Sequence, residues 1–478
     1  MKVKLKHLIV LAALIAGFLF LARLTIPKGP YGYDEADYMF DASLGLSANY
    51  TDHGTLPITD FVREGLTRGR NPSERHALSE FARASNDVAF YRHWHGPMYY
   101  YWLIFASQFA HDEDGVRWLS VVFPILTCVV IYFGCLWITP GREGMLQAIL
   151  SSALFIWSGV TVASLELAPH QFFVVWFLIG LLLLAKMIVT HERRYFYAAA
   201  VVAGLAFSTL EVTFVLVAVM LACIVFERRW LKVDWGFAWR TVALFLGTVL
   251  ISWPGAILKL TFLKSYLGIA YLAVFRKAPW GNVSLFETWA KRLLASPVEW
   301  ILILVAVAAF LVGRQWVGRQ RYLYPFLLFG VLMMLTTAKV AADAPRYSLP
   351  FLPVLEVVAG CTVGTWLARK SPGTSYGAVA VLCAAIFCTS WIKGLGHPYI
   401  EDPRNRALLN YIEANRLQTS SLLVPVGYIP TIHYYFRQVQ LRSFEGSNPV
   451  PDDFKGKKFD GVLYPGDPVR FEPVDGRK

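Results

Sequence analysis

Apolar runs of about 20 residues, parted by short polar segments, recur along the whole chain, and this is the length a helix needs to cross a bilayer. The pattern predicts a first helix from Leu8 to about Ile26. Ten more follow near 117–138, 145–163, 171–189, 195–210, 212–226, 237–257, 298–313, 322–338, 349–368 and 376–394, which makes eleven spans. Lys2, Lys4 and Lys6 precede the first run as they would in a signal peptide. Its apolar stretch is longer than such a leader uses, and Leu24-Thr25-Ile26-Pro27 is a poor cleavage site, so the helix is read as retained with its N-terminus inside.

The polar segments are unequal. Residues 28–96 are too long for a simple connection and are expected to carry function. Within them, Pro72-Ser73-Glu74-Arg75 marks a helix start, and 74–84 is expected to be a short amphipathic helix. The run from Pro97 to Phe109 is short for a span and rich in Tyr and Trp, which predicts a helix lying in the membrane surface. With that reading Arg142, Arg193, Arg194, Arg228, Arg229, Lys232, Arg314, Arg319, Arg321, Arg369 and Lys370 all share the side of the N-terminus, as the positive-inside rule requires. Residues 397–478 are then external. A helix at about 403–415 and strand-like runs at Ser421–Val426 and Gly461–Tyr464 predict a small α/β appendage there. The fold class is therefore an all-α polytopic membrane protein with external juxtamembrane helices, dividing into 1–396 and 397–478.

Composition agrees: of 478 residues, 56% are hydrophobic and 16% charged, far from the balance of a soluble domain. The net charge of +12 is spread over short loops between spans, which explains it by orientation in the membrane and excludes nucleic acid as the partner. All six cysteines fall inside predicted spans and lack metal-ligand spacing. Asn49-Tyr50-Thr51 and Asn282-Val283-Ser284 match a glycosylation triplet, a pattern common by chance.

The unusual polar residues gather on the external side. Asp34, Glu35, Asp37 and Asp41 open the first loop, and His93 and His95 close it. Glu166 and His170 lie between the third and fourth spans, Glu211 between the fifth and sixth, and Lys259, Lys264, Arg276, Lys277, Lys291 and Arg292 in the 258–297 loop. Lys339, Asp343, Arg346 and Tyr347 precede the tenth span. An acid that takes a proton, opposite cations that hold a phosphate, suits transfer of a group off a phosphate ester. Plainer roles stand beside each. Asp34 can cap a helix; Asp34, Asp37 and Asp41 share a helix face that can be merely solvated or can hold a divalent cation. The loop cations can bind anionic lipid, and Arg346 can snorkel.

Three stretches in order resemble the C superfamily of glycosyltransferases, nearest its protein O-mannosyltransferase and lipid A aminoarabinose transferase branch. They are Tyr33-Asp34-Glu35-Ala36-Asp37-Tyr38 after the first span, His95-Gly96-Pro97-Met98-Tyr99-Tyr100 at the end of the long loop, and Arg346-Tyr347-Ser348-Leu349-Pro350 at a late span. The resemblance implies an inverting transferase, metal-independent or metal-assisted, in a bacterial inner membrane with its site outside. The donor would be a polyprenyl-phosphate sugar and the acceptor a glycan, lipid or protein. Asp34 would be the base with Glu35 beside it, and Arg346, with Lys259 or Lys264, would meet the donor phosphate; His95, Glu166, His170, Glu211 and Tyr347 complete the substrate contacts. Two departures stand out: Ala168-Pro169-His170 replaces an Arg-Pro-Asp run, and Glu211 stands where relatives carry Lys or Gly-Pro. The alternatives are a transporter or flippase of a lipid-linked sugar, or an oligosaccharide ligase or polymerase. The absence of inverted internal symmetry argues against the first.

Overall fold

Helices stand at all eleven positions where the apolar pattern predicts one. A computed structural model of the chain describes residues 5–52, 95–263, 266, 289–290, 292–294, 297–314, 318–337, 345–396, 403–444, 448–449, 458–466 and 468–474. The amphipathic helix expected at 74–84 lies outside them. Among the described residues six helices are long and apolar enough to cross a bilayer: Leu5–Thr25, Glu113–Ile138, Gly141–Ala163, Pro169–Thr190, Trp235–Ser252 and Pro372–Leu395. Thr213–Phe226, Pro297–Val312, Arg321–Thr336 and Leu352–Leu367 are apolar but shorter, as is Arg193–Phe207. The chain is an integral membrane protein, and among the described residues six of these helices have the length and composition of a full span.

Two expected spans are interrupted. The helix Gly141–Ile156 stops at Trp157, and a short helix, Gly159–Ala163, restarts behind Ser158, whose side chain caps it by accepting the Val160 N–H at 3.3 Å. The helix Trp235–Ser252 ends ahead of Pro254, which begins the short helix Pro254–Leu258. A proline cannot donate into the preceding turn and pushes the residue before it toward extended backbone, and Trp253 has φ −150° and ψ 71°.

The chain divides into two compact units. The first comprises residues 1–26, 118–252 and 270–399. Its core is built on Gly141–Ile156, which packs against Val122–Ile138, Leu352–Leu367 and Pro372–Gly396. A Cβ added to Gly360 would come within 2.5 Å of the Ser151 backbone N, and one on Gly364 within 2.7 Å of the Gln147 backbone N. This is the small-xxx-small spacing by which membrane helices approach closely, since lipid gives no hydrophobic drive between them. Thr365 Oγ1 stitches the seam, accepting from Gln147 Nε2 and Gln320 Nε2 at 2.8 Å each. Gly360→Leu is therefore expected to force the pair apart at a cost of about 1–3 kcal/mol or more. A lowered thermal midpoint in detergent checks this, with Gly373→Ala, where nothing lies within 4 Å, as the silent control.

The second unit comprises residues 27–117, 253–269 and 400–478. The C-terminal segment thus joins the first loop, whereas the sequence set 397–478 apart as an appendage. It holds a four-stranded sheet in the order β2-β1-β3-β4, with β1 (Ser421–Pro425) parallel to β2 (Gln440–Phe444) and β3 (Gly461–Tyr464), and β4 (Arg470–Pro473) antiparallel to β3. Leu408 and Ile412 of the helix Pro403–Ala414 close its core over Leu422, Val424, Leu441 and Leu463. The helix Ile429–Tyr435 packs on the helix Tyr33–Ser43, and Phe40 meets His433 with ring centroids 4.3 Å apart. Burial, aided by Arg437, pushes the His433 ring down to about 4, so it packs there as a neutral ring. A helix, Met98–Ala106, stands where the sequence expects one lying in the membrane surface. Asn49 is fully buried, its Nδ2 donating to the carbonyls of Asp41 at 2.8 Å and Gly45 at 2.9 Å. The glycosylation triplet there is a structural asparagine; Asn282 lies outside the described residues.

Candidate active site

The acidic stretch after the first helix forms one continuous helix, Tyr33–Ser43, with Gly32 as its N-cap. Asp34 is therefore not the cap residue. Glu35, at the third position, returns to accept the Gly32 N–H at 3.3 Å. Its carboxylate is also clamped by Arg117, with Nε to Oε1 at 3.0 Å and Nη2 to Oε2 at 2.5 Å. Arg117 is fully buried; its Nη1 donates to the Gly29 carbonyl at 2.7 Å and its guanidinium lies 5.0 Å over the Tyr31 ring. A carboxylate held bidentately by a buried arginine has both its oxygens engaged in holding structure. Glu35, expected beside the base, is the anchor of this helix.

Asp34 and Asp37 lie one turn apart, both half-buried. Burial first, and then the Asp34 charge, push the Asp37 carboxyl up to about 7, with His95 pulling the other way. His95 is fixed through Tyr38, whose hydroxyl lies 3.4 Å from Nε2, and Tyr38 meets Tyr99 edge-on at 5.9 Å. His95, just ahead of the helix Met98–Ala106, thus lies beside the acidic helix, a pairing the sequence did not predict. Asp41 is 5% exposed and sits at the buried end of the face. Among the described residues no group of three or more His, Cys, Asp or Glu side chains is arranged to hold a metal ion, so the alternative of a cation on Asp34, Asp37 and Asp41 finds no donor set.

The raised Asp37 gives a pH signature. Its folded value lies above the unfolded one, so the native state binds more protons between about pH 4 and 7, and stability falls as pH rises through that window. The expected result is a thermal midpoint that drops from pH 5 to pH 8, with a smaller drop in Asp37→Asn.

In the transmembrane unit, Glu166, His170, Arg346 and Tyr347, each named from the sequence as a substrate contact, lie together. Arg346 Nη1 donates to Glu166 Oε1 at 3.1 Å, its Nη2 lies 3.4 Å from the Tyr347 hydroxyl, and the His170 and Tyr347 rings meet edge-on at 5.6 Å. Glu211 is half-buried in the turn between Arg193–Phe207 and Thr213–Phe226. Lys264 lies outside the described residues.

Lys259, expected at a phosphate, donates to the Asp52 carbonyl at 2.7 Å. That contact belongs to a cluster the sequence did not reveal. Asp52, fully buried with φ 51°, accepts the Trp253 Nε1–H at 3.1–3.2 Å and the Thr261 hydroxyl. Aspartate tolerates this left-handed backbone better than most residues. The cluster ties residues 253–261 to the helix Leu46–Thr51, and Lys259 serves it as a brace.

Residues 94–253 match the family model described as dolichyl-phosphate-mannose-protein mannosyltransferase. No curated protein matches the chain. Among solved structures, ArnT from Cupriavidus metallidurans bound to undecaprenyl phosphate aligns with a TM-score of 0.59 over 96% of this chain and 92% of its own, at 13% identity. The Archaeoglobus fulgidus oligosaccharyltransferase tethered to an acceptor peptide aligns with a TM-score of 0.57 over 91% of this chain and 64% of its own, at 11% identity.

Proposed function

We propose that this chain, which has the fold of the C superfamily of glycosyltransferases and is related to its protein mannosyltransferase and aminoarabinose transferase branch, moves a sugar from a polyprenyl phosphate to an acceptor hydroxyl at the external membrane face. The observation that carries this reading is the difference between neighbouring acids on one helix. Arg117 clamps Glu35, while Asp34 and Asp37, one turn apart on the same helix, are half-buried and outside that clamp.

In this reaction the acceptor oxygen attacks the anomeric carbon from the face opposite the phosphate. The anomeric C–O bond breaks with its electron pair passing to the phosphate oxygen, the hydroxyl proton passes to Asp34, and the configuration inverts. Arg346, oriented by Glu166 and Tyr347, supports the charge growing on the leaving phosphate. No general acid is required, because a phosphate ester is already a good leaving group.

Purified protein in detergent, given a polyprenyl-phosphate sugar and a set of hydroxyl acceptors, is expected to release free polyprenyl phosphate and glycosylated acceptor. A transporter would need a sealed vesicle and would release neither product in detergent. That result would end the transferase reading.

A further inference from the structure

The break between Gly141–Ile156 and Gly159–Ala163 gathers two buried carboxylates. Glu299, near the start of Pro297–Val312, and Glu356, near the start of Leu352–Leu367, are both fully buried in the transmembrane unit. Glu299 Oε1 accepts the Gly159 N–H at 3.2 Å, so this carboxylate lies against the Ser158-Gly159 step where the helix restarts. The Ser158 hydroxyl stands beside Glu356 but completes no hydrogen bond to it. Among the described residues, both oxygens of Glu356 and Oε2 of Glu299 have no hydrogen-bond partner. Three buried acceptors are thus left without a donor at one interruption of a membrane helix.

An ionised carboxylate taken out of water needs a counter-charge. The Lys393 charge bears on Glu299. Among the described residues, the one charge bearing on Glu356 is the like charge of Glu299. Arg292, stacked on Trp289 and Phe351, bears on neither. Two carboxylates against one lysine leave one negative charge over, which a single positive charge balances. Two carboxylates and a hydroxyl also fall short of the three-ligand set that a zinc-type ion takes. Backbone oxygens can complete a softer shell, because the last carbonyls of Gly141–Ile156 lose their intrahelical donors at the break. Broken membrane helices use such carbonyls to coordinate sodium. Gly159 and Ser390 also line a cavity of about 360 Å³, which gives an ion its way in.

We propose that Glu356, Glu299 and Ser158 form a binding site for one monovalent cation of sodium's size, seated at this break. The short helix Gly159–Ala163 packs against the turn Pro345–Ser348, which carries Arg346. An occupied site therefore fastens the far end of the interrupted helix beneath that turn. The site uses none of Asp34, Asp37 and Arg346, so it stands or falls apart from the transfer reaction.

The test is the thermal midpoint of the full chain in detergent at pH 8, with sodium chloride replacing choline chloride at constant total salt. Sodium is expected to raise the midpoint saturably, since it binds the folded state alone. Glu356→Gln keeps the size of the side chain and removes the surplus charge. Its midpoint in choline should match or exceed that of the wild type, and sodium should not move it. Glu299→Gln keeps an oxygen for the Gly159 N–H and should need at least tenfold more sodium for the same rise. Radioactive sodium, bound to the wild-type chain and displaced by unlabelled sodium but not by choline, decides the matter if a variant does not fold. The absence of displaceable binding would overturn the proposal. So would a midpoint indifferent to sodium that rises on acidification more in the wild type than in Glu356→Gln, because Glu356 would then hold a proton instead. A full sodium response in both variants would place the ion elsewhere and sink the assignment equally.

Discussion

Asp34→Asn is expected to lower transfer by about 10²–10⁴-fold, the usual worth of a general base, without lowering the thermal midpoint. Asparagine keeps the size and hydrogen-bonding reach of the side chain and removes only its capacity to take a proton. The helix it sits on does not depend on Asp34 for its start, because Gly32 is the N-cap and Glu35 reaches back to it. The measurement is single-turnover release of polyprenyl phosphate beside a melting curve of the same preparation. Asp37→Asn separates the two acids. If it abolishes turnover while Asp34→Asn remains active, the base is Asp37 and the assignment of Asp34 is wrong.

Arg117→Ala is expected to act on stability far more than on chemistry. It removes both bonds to Glu35, strands that carboxylate at 6% exposure, and leaves the Gly29 carbonyl without its donor. Breaking one side of a buried ion pair costs about 3–5 kcal/mol, a large share of the roughly 5–15 kcal/mol that holds a domain together. Poor yield of folded protein and rapid proteolysis within residues 27–52 are the expected readouts. Combining Arg117→Met with Glu35→Leu should recover part of the loss, since an apolar pair leaves no buried charge behind. A wild-type melting curve for Arg117→Ala would show that the clamp is dispensable.

The helices were legible because the bilayer imposes a length, and length can be counted in a sequence. Their interruptions were written there too, as Ser158-Gly159 and as Trp253-Pro254, but an apolar count runs straight across them. Glu166, His170, Arg346 and Tyr347 were all expected in loops on one side of the membrane, but the bond from Arg346 to Glu166 across 180 residues was not foreseen. Pairings over long sequence distance were not. Glu35 and Arg117 are 82 residues apart, and Arg117 stands just before an apolar run where it reads as an ordinary interfacial cation. Asp52 meets Trp253 and Thr261 across 201 and 209 residues, with no local pattern announcing it. Lys259 carried the same charge either way; only its partner, a backbone carbonyl, distinguishes a brace from a phosphate ligand.

The tyrosine at position 435 has one more consequence, concerning the order of events during synthesis. Its hydroxyl accepts the Tyr31 N–H at 2.9 Å across 404 residues and donates to Glu113 Oε1 at 2.6 Å, while Thr431 Oγ1 reaches the Tyr31 carbonyl at 3.3 Å. The acidic helix therefore waits for a segment made some 404 residues later before its supports are complete. A nascent chain halted before Ile429 can hold its greasy helices in the bilayer, yet the backbone at Tyr31, ahead of the acidic helix, still lacks the bonds that Thr431 and Tyr435 supply.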